Sequence, residues 1–229
     1  MERSSLALRG IALFDGLSED RLTALAQACE WHVLPAHHAL LTPVRDDGAV
    51  HCLVSGSVRV TTFAANGRQV TFRDCQPGEH LGDLAAIDGR PRSAEAVTLV
   101  PSVVASLSRA TFLALLQQEP VVALRVMQGL AGLVRALTER VVELSTQGVQ
   151  QRLQRELLRR AHEAGVQPDG RARLDPAPRH ADLAAQVSTY REQVSRELGT
   201  LTRDGLVTKE GRAWSIDVAA LARRLASSG

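Results

Sequence analysis

Aromatic side chains are scarce in this chain of 229 residues: four Phe, two Trp and one Tyr, 3% of the total. That excludes a core built on stacked rings. Leu, Val and Ala must fill the interior, and a hydrophobic content of 45% allows it. Cysteine is equally sparse. Cys29, Cys52 and Cys75 are odd in number and widely spaced, which argues against a disulfide framework. None forms the Cys-x-x-Cys pair of a zinc or iron–sulfur site, and no metal is expected. Three reduced thiols fit a cytoplasmic protein. No unbroken run of about 18 apolar residues occurs, so no membrane partner is expected. Met1-Glu2-Arg3-Ser4 lacks a signal-peptide pattern. There is no nucleophile–base pair at motif spacing and no phosphate loop, so the chain reads as a non-enzyme.

The net charge of +2 hides an asymmetry. Residues 1–149 carry 13 Arg/Lys against 15 Asp/Glu, net −2, and residues 150–229 carry 14 against 10, net +4. A basic C-terminal part suits a polyanionic partner.

Patterning divides the chain. Over residues 17–29, Leu22, Leu25, Ala26 and Cys29 recur at helical spacing, with Glu19 and Asp20 in the first turn, where acidic groups favour a helix. Between residues 31 and 107, short β-branched stretches alternate with Gly, Pro, Asn and Asp. Val50–Val54, Ser57–Phe63, Gln69–Asp74 and Val103–Leu107 are expected as strands, with Asn66-Gly67 as a hairpin turn. Such a series favours a barrel or sandwich. Helical patterning resumes at Arg109, and Pro120 is placed to start a long helix. Its apolar seam, Leu130, Val134, Leu137, Val141 and Leu144, steps by 4, 3, 4 and 3, the spacing that suits a partner helix in a homodimer. Residues 165–178 are punctuated by Gly and Pro and predict a turn region. Helices are expected at about 180–187 and 189–204, a hairpin at Val207–Ile216, and a last helix over 217–227.

Two dense motifs carry the function. The first is Gly82-Asp83-Leu84-Ala85-Ala86-Ile87-Asp88-Gly89-Arg90-Pro91-Arg92-Ser93-Ala94. It resembles the phosphate-binding cassette of cyclic-nucleotide-binding domains: Gly-Glu-Leu, a short apolar helix, then Arg-Ser/Thr-Ala. The resemblance implies a cyclic nucleotide effector and no covalent cofactor. Arg92 would fork onto the cyclic phosphate, Ser93 would add a hydroxyl, Gly82 would let the ribose approach the backbone, and the acidic residue would accept from the ribose 2′-OH. Leu84 and Ala94 complete the matched positions. Asp83 stands where the family has Glu, one methylene shorter. In cAMP-binding members two neighbouring hydroxyl residues on the long helix read the adenine, and the matching positions here are Leu137 and Thr138. Arg73 replaces a small hydroxyl residue on a strand facing the same pocket. Because guanine offers two acceptors to a guanidinium, Arg73 tips the expectation from cAMP towards cGMP. A haem sensor using Cys75 or His37-His38 is the other ligand class of this fold, and nothing in the sequence fixes its geometry.

The second motif is Asp182 to Leu198. Leu183-Ala184-x-x-Val187, a short turn, then Arg191-Glu192-x-Val194-Ser195-Arg196 and Leu198 closely resembles the helix-turn-helix of the Crp/Fnr family. Leu183, Ala184, Val187, Val194, Leu198 and Leu201 can pack the helix pair. Arg191, Glu192, Ser195 and Arg196 then share the opposite side. Arg191 and Arg196 suit guanine and Glu192 suits the cytosine amino group. Arg179, Ser188 and Thr189 are candidates for phosphate contacts. Gly205-Leu206-Val207 and Gly211 to Ile216 fit a β-wing, with Lys209 and Arg212 near the DNA backbone.

The resemblance implies an α+β chain. A cyclic-nucleotide-binding β-barrel of jelly-roll type occupies residues 1–118, a dimerisation helix 119–148, and a winged helix-turn-helix 149–229. It also implies a cytoplasmic homodimer that binds pseudo-palindromic double-stranded DNA as a transcription regulator, with RNA polymerase as a further candidate partner. A regulator of the same fold that needs no ligand is the alternative.

Overall fold

Side-chain caps and buried apolar positions set the helix starts in this computed structural model, which describes residues 4–42, 48–63 and 69–227. The chain divides into two compact units, with the main boundary between Ala136 and Leu137.

The first unit opens with α1 (Ser5–Arg9), a 3-10 turn (Ala12–Phe14) and α2 (Glu19–Ala28). Ser18 caps α2, its hydroxyl accepting the Arg21 N–H at 3.4 Å. Among the described residues eight strands follow: β1 (Glu30–Leu34), β2 (Ala39–Leu41), β3 (Val50–Ser55), β4 (Val58–Phe63), β5 (Gln69–Cys75), β6 (His80–Leu81), β7 (Glu95–Thr98) and β8 (Ser102–Leu107). They form two four-stranded sheets, ordered β1-β8-β3-β6 and β2-β7-β4-β5. The four strands expected from β-branched patterning all form. The Asn66-Gly67 turn lies outside the described residues. β3 crosses the first sheet from Val50 opposite Leu107 to Leu53 opposite Val104. Val50, Cys52 and Leu107 face a core with Leu8, Ile11, Phe14, Phe112 and Val122, while Leu53, Val58, Leu81, Ala96 and Val104 form a second cluster. As the composition requires, aliphatic side chains dominate both clusters.

Between β6 and β7 lies a short helix, α3 (Asp83–Asp88); α4 (Arg109–Gln118) follows β8. Ser108 caps α4 through the Thr111 N–H at 3.1 Å. Pro120 then starts α5 (Pro120–Thr146), 27 residues long. Val122 and Val126 of α5 are buried against the first core, and Leu130 packs on it. Beyond them α5 carries an exposed apolar stripe: Val121, Leu124, Met127, Val134, Leu137, Val141 and Leu144, with Leu133 and Val142 beside it. Val134 and Val141 are each 63% exposed. By length and composition this helix could cross a membrane, with a mean hydropathy of 1.4 over its most apolar stretch. Arg125 and Arg135 break the apolar run, yet the Val, Leu and Ala around them keep the average high.

The second unit contains α6 (Val149–Ala164), β9 (Arg171–Leu174), α7 (His180–Gln186), α8 (Arg191–Arg203), β10 (Val207–Glu210), β11 (Ala213–Asp217) and α9 (Val218–Ala226). The strands make a three-stranded sheet, order β10-β11-β9. Leu153, Leu157, Leu183, Val187, Val194, Leu198, Leu201 and Ile216 fill one core. Asp217 caps α9, accepting the Ala220 N–H at 2.8 Å. The Gly/Pro-rich stretch expected as turns contributes β9, where Ala172 and Leu174 alternate inward between two arginines.

Candidate effector and nucleic-acid sites

The cassette motif folds as β6, α3 and the turn into β7. Gly82 precedes α3 with φ +94°. A Cβ there would come within 2.6 Å of Arg92 Nη1 and 2.7 Å of the Ala49 carbonyl oxygen, so the close approach requires glycine. Arg92 is buried, 6% exposed, although nothing apolar recommends a guanidinium to that place. Its Nη1 donates to the Gly82 carbonyl and its Nη2 to the Ala49 carbonyl, each at 2.8 Å. These two bonds offset part of the cost of burying the charge and fix the plane of the fork. Ser93 and Leu84 are exposed, and Ala94 is half-buried.

Asp83, directly after Gly82, is largely enclosed. Its carboxylate lies 3.6 Å from His80 Nε2. Burial pushes its pKa up, but His80 beside it, with Arg73 nearby, brings it below the usual carboxylate range. Arg73 is 44% exposed and pairs with Glu79 at 2.6 Å, while its Nη2 donates to the His80 carbonyl at 3.0 Å. The structure thus joins Gly82, Asp83, Arg92 and Arg73 with three residues the sequence did not single out: Ala49, Glu79 and His80. Of these, Glu79-His80 could have been suspected from their place just before the motif. Thr138 is exposed on α5, in the second unit.

All three thiols are free and buried. Burial pushes Cys75 up to about 11 and Cys29 up to about 12, which disfavours the thiolate that a haem ligand would need.

The helix-turn-helix forms from α7 and α8, with Leu183, Ala184, Val187, Val194, Leu198 and Leu201 all buried between them and their neighbours. The turn runs through Ser188 at φ +54°. Thr189 there is buried, 7% exposed, its N–H donating to the Ala184 carbonyl at 2.9 Å. That leaves little of its side chain for a phosphate, against expectation. Ser188 is half-buried and its hydroxyl accepts from Arg140 Nη2 at 3.0 Å. Arg179 is exposed at the start of α7, its side chain making no cap. On α8, Arg191, Glu192, Ser195 and Arg196 are all exposed on one face.

Several supports were invisible in the sequence. Arg140, near the end of α5, also donates to the Gln186 carbonyl. Arg152 on α6 is buried and donates from Nε to the Val187 carbonyl at 3.0 Å and from Nη1 to Gln147 at 2.6 Å. The carbonyls at the end of α7 are thereby satisfied by two guanidinium groups from outside the motif. His180 Nδ1 and Ser195 Oγ lie 2.7 Å apart, and the His180 ring packs on Trp214 at 5.9 Å between centroids. Burial first, then Lys209 and Arg191, lower the His180 pKa. In the wing, Lys209 is exposed and Arg212 pairs with Asp175 at 3.2 Å.

Residues 32–119 match the family profile of the cyclic nucleotide-binding domain and residues 151–224 that of the Crp-like helix-turn-helix domain. Among relatives, the CRP-like cAMP-activated global transcriptional regulator of Mycobacterium tuberculosis is 25% identical over 220 residues, 96% of this chain and 97% of that one. The transcriptional regulator LdrP of Thermus thermophilus is 30% identical over 177 residues, 77% of this chain and 87% of that one. A solved CRP/FNR-family transcriptional regulator, also from Thermus thermophilus, superposes with a TM-score of 0.62 at 26% identity, covering 86% of this chain and 98% of that one. With the cassette and helix-turn-helix geometry, these matches place the chain in the Crp/Fnr family of DNA-binding transcription regulators, a family of non-enzymes carrying a cyclic nucleotide-binding domain.

Proposed function

We propose that this protein is a homodimeric transcription regulator whose hold on DNA is set by a cyclic purine nucleotide bound at Arg92. One observation carries the effector reading: an arginine only 6% exposed, its guanidinium held in plane by two carbonyls beside a glycine that admits no side chain. Such a preset fork fits a bidentate anion. Ser93 adds its hydroxyl, and Asp83, held ionised, accepts from the ribose.

The nucleotide we favour is cAMP. The case for cGMP rested on Arg73 meeting a base edge, and Arg73 is instead paired with Glu79 and bonded to the His80 carbonyl. The M. tuberculosis relative is described as cAMP-activated. A regulator that needs no nucleotide is the second reading, favoured by the two backbone carbonyls that already engage both Nη atoms of Arg92. Calorimetric titration with cAMP and cGMP, paired with gel shifts with and without each, decides. Tighter cGMP binding overturns the choice of base. DNA binding unchanged by either nucleotide overturns the effector reading.

Dimerisation is assigned to α5. Its apolar stripe runs from Val121 to Leu144, about 35 Å at 1.5 Å per residue, and a second copy of the helix would cover it. The working division is residues 1–118 for the sensor, 119–148 for the dimer helix and 149–229 for the reader. Two reader units would enter major grooves about 34 Å apart on a pseudo-palindrome. Arg191, Glu192, Ser195 and Arg196 face the bases, while Arg179, Lys209 and Ser188 face phosphates. The site of action is the cytoplasm, with RNA polymerase as the further partner.

A further inference from the structure

Ser195, exposed on the same face of α8 as Arg191, Glu192 and Arg196, has a side-chain partner on α7. Its hydroxyl lies 2.7 Å from His180 Nδ1, on the first turn of α7, and the ring is braced by Trp214 of β11. A hydroxyl has one proton and two lone pairs. If the imidazole is protonated, Nδ1–H must donate to Ser195, and the serine proton is left to point at an acceptor such as guanine N7 or thymine O4. If the ring is neutral with its one proton on Nε2, Nδ1 is bare, and Ser195 can donate to it and turn its lone pairs towards an amino group of cytosine or adenine.

We propose that His180 is a positioning residue for the base-reading hydroxyl of Ser195, and that gain or loss of the proton on His180 Nδ1 sets whether that hydroxyl offers a donor or an acceptor to the major groove. The inference rests on Ser195 facing a base, as proposed above. The charged groups facing the ring are Lys209 from β10 and Arg191 from α8, with Trp214 a neutral neighbour. Both cations, after burial, hold the free ring towards the neutral form. Nearby DNA phosphates offset these cations, so DNA binding raises the ring's proton affinity and base preference becomes pH-dependent.

The test uses the full-length protein with cAMP and a random duplex pool to select its site, then the four base pairs at each selected position. Binding is measured from about pH 5.5 to about pH 8. At the pair read by Ser195, the wild type should change its relative preference roughly three- to tenfold across that range, the worth of one hydrogen bond. His180→Asn keeps a hydrogen-bonding group near Nδ1 but cannot titrate, so it should retain a preference that no longer moves with pH. His180→Ala and Ser195→Ala should each lose the preference, and the double variant should lose no more than either alone. An unchanged pH profile in H180N, or an unchanged preference in H180A, overturns the inference. If S195A leaves every base preference intact, the base-reading role of Ser195 fails instead. Thermal melts check folding; should H180A fail to fold, H180N and S195A decide alone.

Discussion

Gly82→Ala is the sharpest test of the effector site, because the structure says in advance what the added methyl meets. The Cβ would stand 2.6 Å from Arg92 Nη1 and 2.7 Å from the Ala49 carbonyl oxygen, at a backbone φ of +94°. An L-residue at that φ costs about 1–3 kcal/mol. The Arg92 contact can be relieved by swinging the guanidinium out of plane, whereas the Ala49 contact is with backbone and must be relieved by moving β3's entrance. Both responses unseat Arg92 from the carbonyls that orient it. Losing one well-placed charge-assisted bond to the phosphate corresponds to about 1.5–3 kcal/mol, or roughly ten- to hundredfold in affinity. We therefore expect G82A to fold with a lowered melting temperature, to bind cAMP at least tenfold more weakly by calorimetry, and to leave the second unit's core intact. Val33→Ala, at an exposed position of β1 outside the cassette, is the control and should bind within a few-fold of wild type. A G82A protein that binds cAMP like wild type would refute the claim that Arg92, seated as described, holds the phosphate.

Three further outcomes follow from geometry already given. Leu137→Glu places a carboxylate in the α5 stripe; losing two Leu side chains from a symmetric contact costs roughly 3–6 kcal/mol, so sedimentation should show monomer at concentrations where wild type is dimeric, and an unchanged dimer would rule out α5 as the interface. Arg191→Ala should relax specificity at one base pair by about 1–3 kcal/mol without changing the cAMP isotherm, and a uniform loss across all sequences would demote Arg191 to a phosphate contact. For stability against pH, Asp83 and Glu156 titrate below their ordinary range in the fold. Burial raises both, and His80 for the first and Arg159 and Arg160 for the second outweigh it, so their contribution holds at neutral pH and is lost as pH falls through their folded values. His180 is lowered as well, so stability should already begin to fall below the ordinary histidine value; a melting temperature flat from pH 7 to below the carboxylate range would contradict both.

Much of this was legible because periodicity and turn chemistry are local. The strands at Val50–Ser55 and Ser102–Leu107 announce themselves by β-branched runs, and Pro120 marks the start of α5. The strand Arg171–Leu174 was hidden because Gly165, Gly170, Pro176 and Pro178 surround it, and its pairing with Trp214 to Asp217 is a tertiary fact. The sites show the same limit. Gly82 to Ala94 and Asp182 to Leu198 are contiguous and could be recognised whole. The partners that set their geometry sit far off in sequence: Ala49 for Arg92, Arg140 for Ser188, and His180 for Ser195. Thr189 looked available for a phosphate only because burial is invisible in a polar dipeptide.

The arginines that hold the end of α7 bear on where the chain can be cut. Arg140 lies on α5, a helix that by composition would be handed to the dimer interface, yet its guanidinium grips the Gln186 carbonyl and the Ser188 hydroxyl of the reader. A fragment begun at residue 149 keeps Arg152 and every apolar core residue of the second unit but lacks this grip. One begun at Leu137 keeps both. The shorter fragment should therefore fold with a looser turn before α8 and exchange its Thr189 and Val187 amides faster. A reader fragment that keeps its turn gripped on both sides thus includes the last turns of the long helix.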